Sequence, residues 1–155
     1  MKQLEKELAK KGVISNAVKK IAEIEELDEE EIAKRVSEGK IVILKHKENF
    51  LGIGEGLRTK INANIGTSTD VCDINLELEK LKVAEKYGTD TVMDLSTGGD
   101  IDKIREKIIS ESNVPVGTVP IYQAAIEAIG EKGGIIKMDE NKIFEVIEKH
   151  AEDGV

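Results

Sequence analysis

The chain has 155 residues, of which 35% are charged and 3% aromatic, with no Trp and a formal net charge of −8. That balance excludes the basic patch that a nucleic-acid groove or an anionic membrane surface requires, and the aromatic platform on which bases stack. No apolar stretch reaches the ~20 residues of a membrane span, the amino terminus has no apolar signal region, and the single Cys72 rules out an internal disulfide, so the expectation is a soluble cytoplasmic protein with a small ligand.

The first forty residues read as charged helices. Ile14, Val18 and Ile21 form a stripe at helical spacing after a start signal at Ser15. Asp28 with Glu31 resembles a capping box for a second helix carrying Ile32 and Val36, with Gly39 placed to close it. Ile41-Val42-Ile43-Leu44 and Phe50-Leu51-Gly52-Ile53, joined by the polar Lys45-His46-Lys47-Glu48-Asn49, predict a hairpin. Gly52, Gly54 and Gly56 alternate like a phosphate loop but lack the strand, helix and distant acid of a dinucleotide fingerprint, so they are expected to form a flexible lead-in.

From Lys60 the pattern becomes regular. Ile61-Asn62-Ala63-Asn64-Ile65 predicts a strand, followed by a helix with Ile74, Leu78, Leu81 and Ala84 on one face. Thr91-Val92-Met93-Asp94-Leu95 predicts the next, followed by a helix with Ile101, Ile104 and Ile108. Pro115-Val116-Gly117-Thr118-Val119 predicts a third strand. A helix through Ala125 and Ile129 follows, broken by Gly130 and the pair Gly133-Gly134, then a last helix from about Asp139 to Glu152 with Phe144, Ile147 and Ala151 on one side. Strand and helix alternating at this pitch imply parallel crossovers. After Glu152-Asp153-Gly154, Val155 reads as the first residue of a fourth strand. The expected fold class is therefore α/β: a helical arm and hairpin over residues 1–56, then over 57–155 the first three βα units of a parallel sheet or of a (βα)8 barrel of TIM type, incomplete in this chain. Its open edge is expected to self-associate or to pair with a complementary carboxyl-terminal half.

Asn64, Met93 and Tyr122 are spaced by 29 and 29 residues, the period of one βα unit. This places three side chains at the same end of successive strands, where parallel α/β folds bind ligands. Asn62 and Asn64 stand in an apolar strand, either as a satisfied hydrogen-bonded bridge or as a ligand contact; Asn64, nearer the carboxyl end, is the better candidate. Met93 suits an apolar wall, and Tyr122 suits either local packing or a ligand. Ser96-Thr97-Gly98-Gly99 could aim N–H groups at an anion, or Ser96 or Thr97 could simply cap a helix. His46, His150 and Cys72 have no metal-ligand spacing, and the chain carries no nucleophile elbow, Walker loop or cysteine pair.

Three segments carry a resemblance: Gly-Glu-Gly-Leu-Arg-Thr-Lys-Ile-Asn-Ala-Asn-Ile-Gly-Thr-Ser at 54–68, Asp-Thr-Val-Met-Asp-Leu-Ser-Thr-Gly at 90–98, and Val-Pro-Val-Gly-Thr-Val-Pro-Ile-Tyr-Gln at 114–123. In this order they resemble the amino-terminal part of the phosphomethylpyrimidine synthase family, ThiC. The resemblance implies a (βα)8 barrel, a radical lyase that converts 5-aminoimidazole ribotide into hydroxymethylpyrimidine phosphate for thiamine, and a homodimer. It further implies S-adenosylmethionine, a [4Fe–4S] cluster and a divalent metal, expected to be zinc. It assigns ribotide contacts to Asn64, Met93 and Tyr122 and does not support an anion role for Ser96-Thr97-Gly98. The family's Cys-x-x-Cys-x-x-x-x-Cys, its metal-binding histidines and a substrate-binding histidine are expected beyond Val155, so the chain alone is expected to be inactive. His46-Lys47-Glu48-Asn49-Phe50-Leu51 departs from the family's usual Arg- and Pro-containing approach, leaving the 5-hydroxybenzimidazole synthase paralogue as an alternative, and the retention of Asn64, Met93 and Tyr122 also permits a non-catalytic ribotide-binding or interaction fragment.

Overall fold

The computed structural model describes residues 4–155, the side chains of Lys132 and Lys137 apart. The chain divides into two units, Met1–Lys60 and Ile61–Val155.

In the first unit, α1 (Glu5–Lys10), α2 (Asn16–Glu25) and α3 (Glu29–Glu38) precede an antiparallel hairpin of β1 (Ile41–His46) and β2 (Asn49–Gly54). Ser15 caps α2 by accepting from the Val18 N–H at 3.1 Å. Asp28 caps α3 through the Glu30 and Glu31 N–H groups, and Gly39 closes that helix at φ 77°. Val18, Ile21, Ile32, Val36 and Ile41 bury together as the core. The three alternating glycines are not a lead-in. Gly52 and Gly54 lie within β2, where a Cβ at 52 would come 2.7 Å from Ile21 Cγ2 and one at 54 would strike the Lys40 carbonyl. A Cβ at Gly56 would strike the Arg35 guanidinium, which donates to the Glu55 carbonyl at 2.8 Å. Close packing accounts for Gly52 and Gly54, whereas Gly56 is required by its left-handed backbone at φ 80°, since the Arg35 side chain can swing aside.

The second unit begins with β3 (Asn62–Ile65), α4 (Ile74–Lys86), β4 (Thr91–Asp94), α5 (Ile101–Glu111) and β5 (Val116–Thr118). It continues through α6 (Pro120–Lys132), a 3-10 turn (Ile135–Lys137) and α7 (Glu140–Asp153). Its strands form a parallel sheet in the order β3-β4-β5. Side chains alternate across a strand. Accordingly Ile65, Val92 and Val116 pack on one face with Leu81 of α4 and Ile104 and Ile108 of α5, leaving Asn64 and Met93 on the other. The helix side is therefore apolar at its centre, with Asp94 and Thr118 at the carboxyl ends of β4 and β5, and the opposite face carries Asn62, Asn64 and Thr91.

Two expectations fail here. Gly130 does not break its helix: α6 runs through it to a left-handed cap at Gly133, φ 74°. A helical glycine costs only about 1 kcal/mol, and this one meets no neighbour that would force a bend. On α7 the packed side is not Phe144, Ile147 and Ala151. Phe144 is 67% and Ile147 45% exposed, while Val146 and His150 are buried. Polar partners on β5, α5 and α6 set the orientation of the helix.

Candidate functional site

The parallel register makes Asn64 the Cα partner of Met93, and Met93 the partner of Gly117. These three positions form one row across the polar face of the sheet. Asn64 is exposed and Met93 half-buried, and the Met93 side chain lies over Gly117, where a Cβ would come 3.1 Å from Met93 Cε. One step toward the amino ends, Asn62 and Thr91 are partners in the same ladder. Thr91 Oγ1 donates to Asn62 Oδ1 at 2.8 Å, and Asn62 Nδ2 donates to Asn64 Oδ1 at 3.0 Å. Tyr122 stands outside the ladder, on the first turn of α6, 48% exposed, with its N–H donating to the Val119 carbonyl at 2.9 Å. The register thus brings Asn64 and Met93 together, while Tyr122 lies apart from them on the helix that follows β5, lining a small pocket with Asp94, Ser96 and Gln123.

The loops at the carboxyl ends of β3 and β4 interlock. Thr67 N–H donates to Ser96 Oγ at 3.1 Å, Thr67 Oγ1 to the Gly98 carbonyl at 2.7 Å, and Thr97 N–H to the Thr67 carbonyl at 2.9 Å. Gly66 at φ 140° approaches the Leu95–Ser96 peptide so closely that a Cβ would lie 2.6 Å from Ser96 N, and Gly98 abuts the Ser68 carbonyl. Neither Ser96 nor Thr97 caps α5; Asp100 does, accepting from Lys103 N–H at 3.2 Å. Ser96 instead donates its hydroxyl to Asp94 Oδ1 at 2.6 Å. Burial pushes the Asp94 carboxyl above its ordinary value, and the two Ser96 hydrogen bonds oppose that only in part. The Ser96 N–H and hydroxyl are both engaged by Asp94 and the Thr97 N–H by the Thr67 carbonyl, so the loop has fewer donors to offer an anion than the Ser-Thr-Gly sequence suggests. Glu77, also buried, accepts from Gly66 N–H at 2.7 Å and from Lys80 Nζ at 2.6 Å, tying α4 to the same rim.

On the helix side lies a polar network that local pattern did not reveal. Arg105 is fully buried and donates to Asp153 Oδ2 at 2.8 Å from Nε, to Gln123 Oε1 at 2.6 Å, and to Asp102 Oδ1 at 2.8 Å. His150 Nδ1 is 2.8 Å from Thr118 Oγ1, and its Nε2 is 2.8 Å from both Arg105 Nη1 and Gln123 Oε1. Burial and then the Arg105 charge hold the imidazole below its ordinary value. A neutral ring accepts from the guanidinium; a protonated Nε2 sets a second cation against it. Burial works to raise Asp102, but hydrogen bonds from Lys149, Gln123 and Arg105 outweigh it and hold that carboxyl well below the usual range. The available sequence signals were the Asp102/Arg105 and Gln123/Glu127 spacings on successive helices. Their partners lie 18 to 48 residues apart in the chain.

The fold and this face together define a parallel α/β protein with helices against one side of its sheet and a polar row on the other. Within that class the chain belongs to the radical SAM ThiC family, whose profile matches residues 4–155. It is 53% identical over 152 residues to the phosphomethylpyrimidine synthase of Thermodesulfovibrio yellowstonii, an alignment covering 96% of this chain and 36% of that protein. To the protein of the same name from Pyrococcus furiosus it is 50% identical over 159 residues, covering 100% and 37%. With that from Methanocaldococcus jannaschii the figures are 50% over 150 residues, covering 95% and 35%. The chain spans little more than a third of the length of these curated relatives.

The residues present do not fit an iron–sulfur cluster or a metal ion. A cluster takes several thiolates, and the chain has Cys72 alone, whose Sγ rests 3.4 Å from the Gly98 carbonyl. Among the described residues no three His, Cys, Asp or Glu converge as metal ligands. Nor is any described helix long and apolar enough to cross a membrane.

Proposed function

We propose that this chain supplies the amino-terminal, substrate-facing part of a phosphomethylpyrimidine synthase. In this reading β3, β4 and β5 are the first three strands of a (βα)8 barrel, and their polar face is the barrel interior. The observation that carries it is the row of Asn64 and Met93 on that face, with Tyr122 on the helix after the third strand. The ligand is 5-aminoimidazole ribotide. The Asn64 amide holds a hydroxyl or ring nitrogen by hydrogen bonds, Met93 offers an apolar wall to the ring, and Tyr122 contributes a phenol that can donate or accept.

The enzyme as a whole is a cytoplasmic, homodimeric lyase that uses S-adenosylmethionine, a [4Fe–4S] cluster and a divalent metal, zinc by family resemblance. Those groups are held outside this chain, so its own residues bind and orient substrate and carry no radical step. The names of the relatives support the thiamine pyrimidine as product over the benzimidazole.

Titration of the 155-residue chain with the ribotide, followed by calorimetry, tests the reading. Binding that weakens about 5- to 10-fold in each of Asn64→Ala, Met93→Ala and Tyr122→Ala is expected, the effect of one lost polar or apolar contact. Unchanged affinity in all three would remove the assignment. The pure chain given S-adenosylmethionine and reductant is expected to form no pyrimidine phosphate.

A further inference from the structure

We propose that Thr91 and Asn62 form a positioning relay that orients the Asn64 amide, and hence the donor it presents to ligand. This rests on the reading that Asn64 contacts the ribotide. The relay runs in one direction. The Thr91 hydroxyl donates to Asn62 Oδ1 at 2.8 Å, which leaves the Asn62 Nδ2 end to face its neighbour, and Nδ2 donates to Asn64 Oδ1 at 3.0 Å. The two ends of a primary amide are not equivalent: one accepts, the other donates twice. With its oxygen engaged by Asn62, Asn64 turns its own N–H donors away from the relay, toward a ligand acceptor such as a hydroxyl or an unprotonated ring nitrogen. Without the relay the amide can rotate by half a turn and present its oxygen instead.

Asn is a poor strand residue, yet it occurs here twice at a spacing of two, on one face of β3, with Thr91 as the Cα partner of the first. Asn62 and Asn64 are exposed, so neither buries apolar surface that would account for its place in the strand. Two disfavoured residues held in line by a cross-strand hydroxyl are therefore better explained by orientation than by stability.

The test uses the 15N-labelled 155-residue chain and its Thr91→Val, Asn62→Ala and Thr91→Ser variants, with 5-aminoimidazole ribotide as the probe. The order parameter of the Asn64 side-chain amide is read first without ligand. It should fall in Thr91→Val and Asn62→Ala and recover in Thr91→Ser, which keeps the donating hydroxyl. The ribotide Kd should rise about 5- to 10-fold in the first two and stay within about 2-fold of wild type in the third, with melting temperatures nearly unchanged. Asn64 order and Kd both unaltered in Thr91→Val and Asn62→Ala would overturn the relay. Ribotide that fails to bind wild type, while Asn64 order still falls in those variants, would overturn the ribotide reading and uphold the relay.

Discussion

Met93 lies across the bare backbone of Gly117, its Cε and Sδ 3.1 and 3.3 Å from where a Cβ would stand. The two residues are partners in the β4–β5 ladder, so the absence of a side chain on one strand is filled by the thioether of the next. Gly117→Ala should therefore displace Met93 by a few tenths of an ångström without straining the backbone. The cost should be about 1 kcal/mol in urea denaturation, at the low end for overpacking, and should shrink in a Met93→Ala background, where the obstacle is gone. Equal costs in both backgrounds would mean that Met93 does not rest on Gly117 in solution.

The interlocked rim makes a sharper demand. Gly98 abuts the carbonyl of Ser68 on the neighbouring loop, and a backbone carbonyl cannot swing aside as a side chain can. Gly98→Ala should cost about 1–3 kcal/mol, the range for overpacking a closed contact. Gly130→Ala, inside α6 with open space around it, should instead stabilise by up to about 1 kcal/mol through helix propensity. Chemical denaturation of both variants checks the contrast, and a neutral Gly98→Ala would show that the two loops separate in solution.

The strands and the helices α4 and α5 were legible because their apolar residues repeat at periods of two and 3.6 and because Gly and Asp punctuate them. Asp28, Gly39 and Asp139 read correctly as helix signals for the same local reason. What local pattern missed depends on distant partners. Phe144 and Ile147 have the spacing of a packed stripe, but α7 turns Val146 and His150 inward because Arg105 and Thr118 satisfy the imidazole there. The glycines of 52–56 look like a mobile loop in sequence; only the positions of Ile21 and Lys40 and the left-handed backbone of Gly56 account for them. The polar row was legible in part: the period of 29 residues picked out Asn64 and Met93, whereas the hydroxyl of Thr91 became meaningful only with the strand register.

The buried imidazole gives stability a pH dependence with a definite sign. The groups facing His150 are Thr118 from β5, Arg105 and Asp102 from α5, Gln123 from α6, and Lys149 and Asp153 from its own helix. Burial and the Arg105 charge depress its folded value below the ordinary 6.5, so on acidification the unfolded chain takes up this proton first. Its contribution is therefore complete above that ordinary value and is lost as pH falls through it toward the folded value. Asp102, held low by Lys149, Gln123 and Arg105 against the opposing effect of burial, stays ionised throughout this window and begins to cost stability only below its ordinary 3.8. Asp94 acts with the opposite sign, because burial raises its folded value above 3.8 and the native state takes up that proton first. Thermal melts at steps between about pH 7.5 and 5.5 should show a falling midpoint for the wild type, the interval in which a histidine is the group that titrates. In His150→Gln, which keeps a polar side chain beside Arg105 and Thr118 without a titrating ring, the midpoint should be lower at neutral pH and the slope flatter. An unchanged slope in that variant would place the acid sensitivity elsewhere and would mean that the His150 imidazole binds its proton equally well in the folded and unfolded chain.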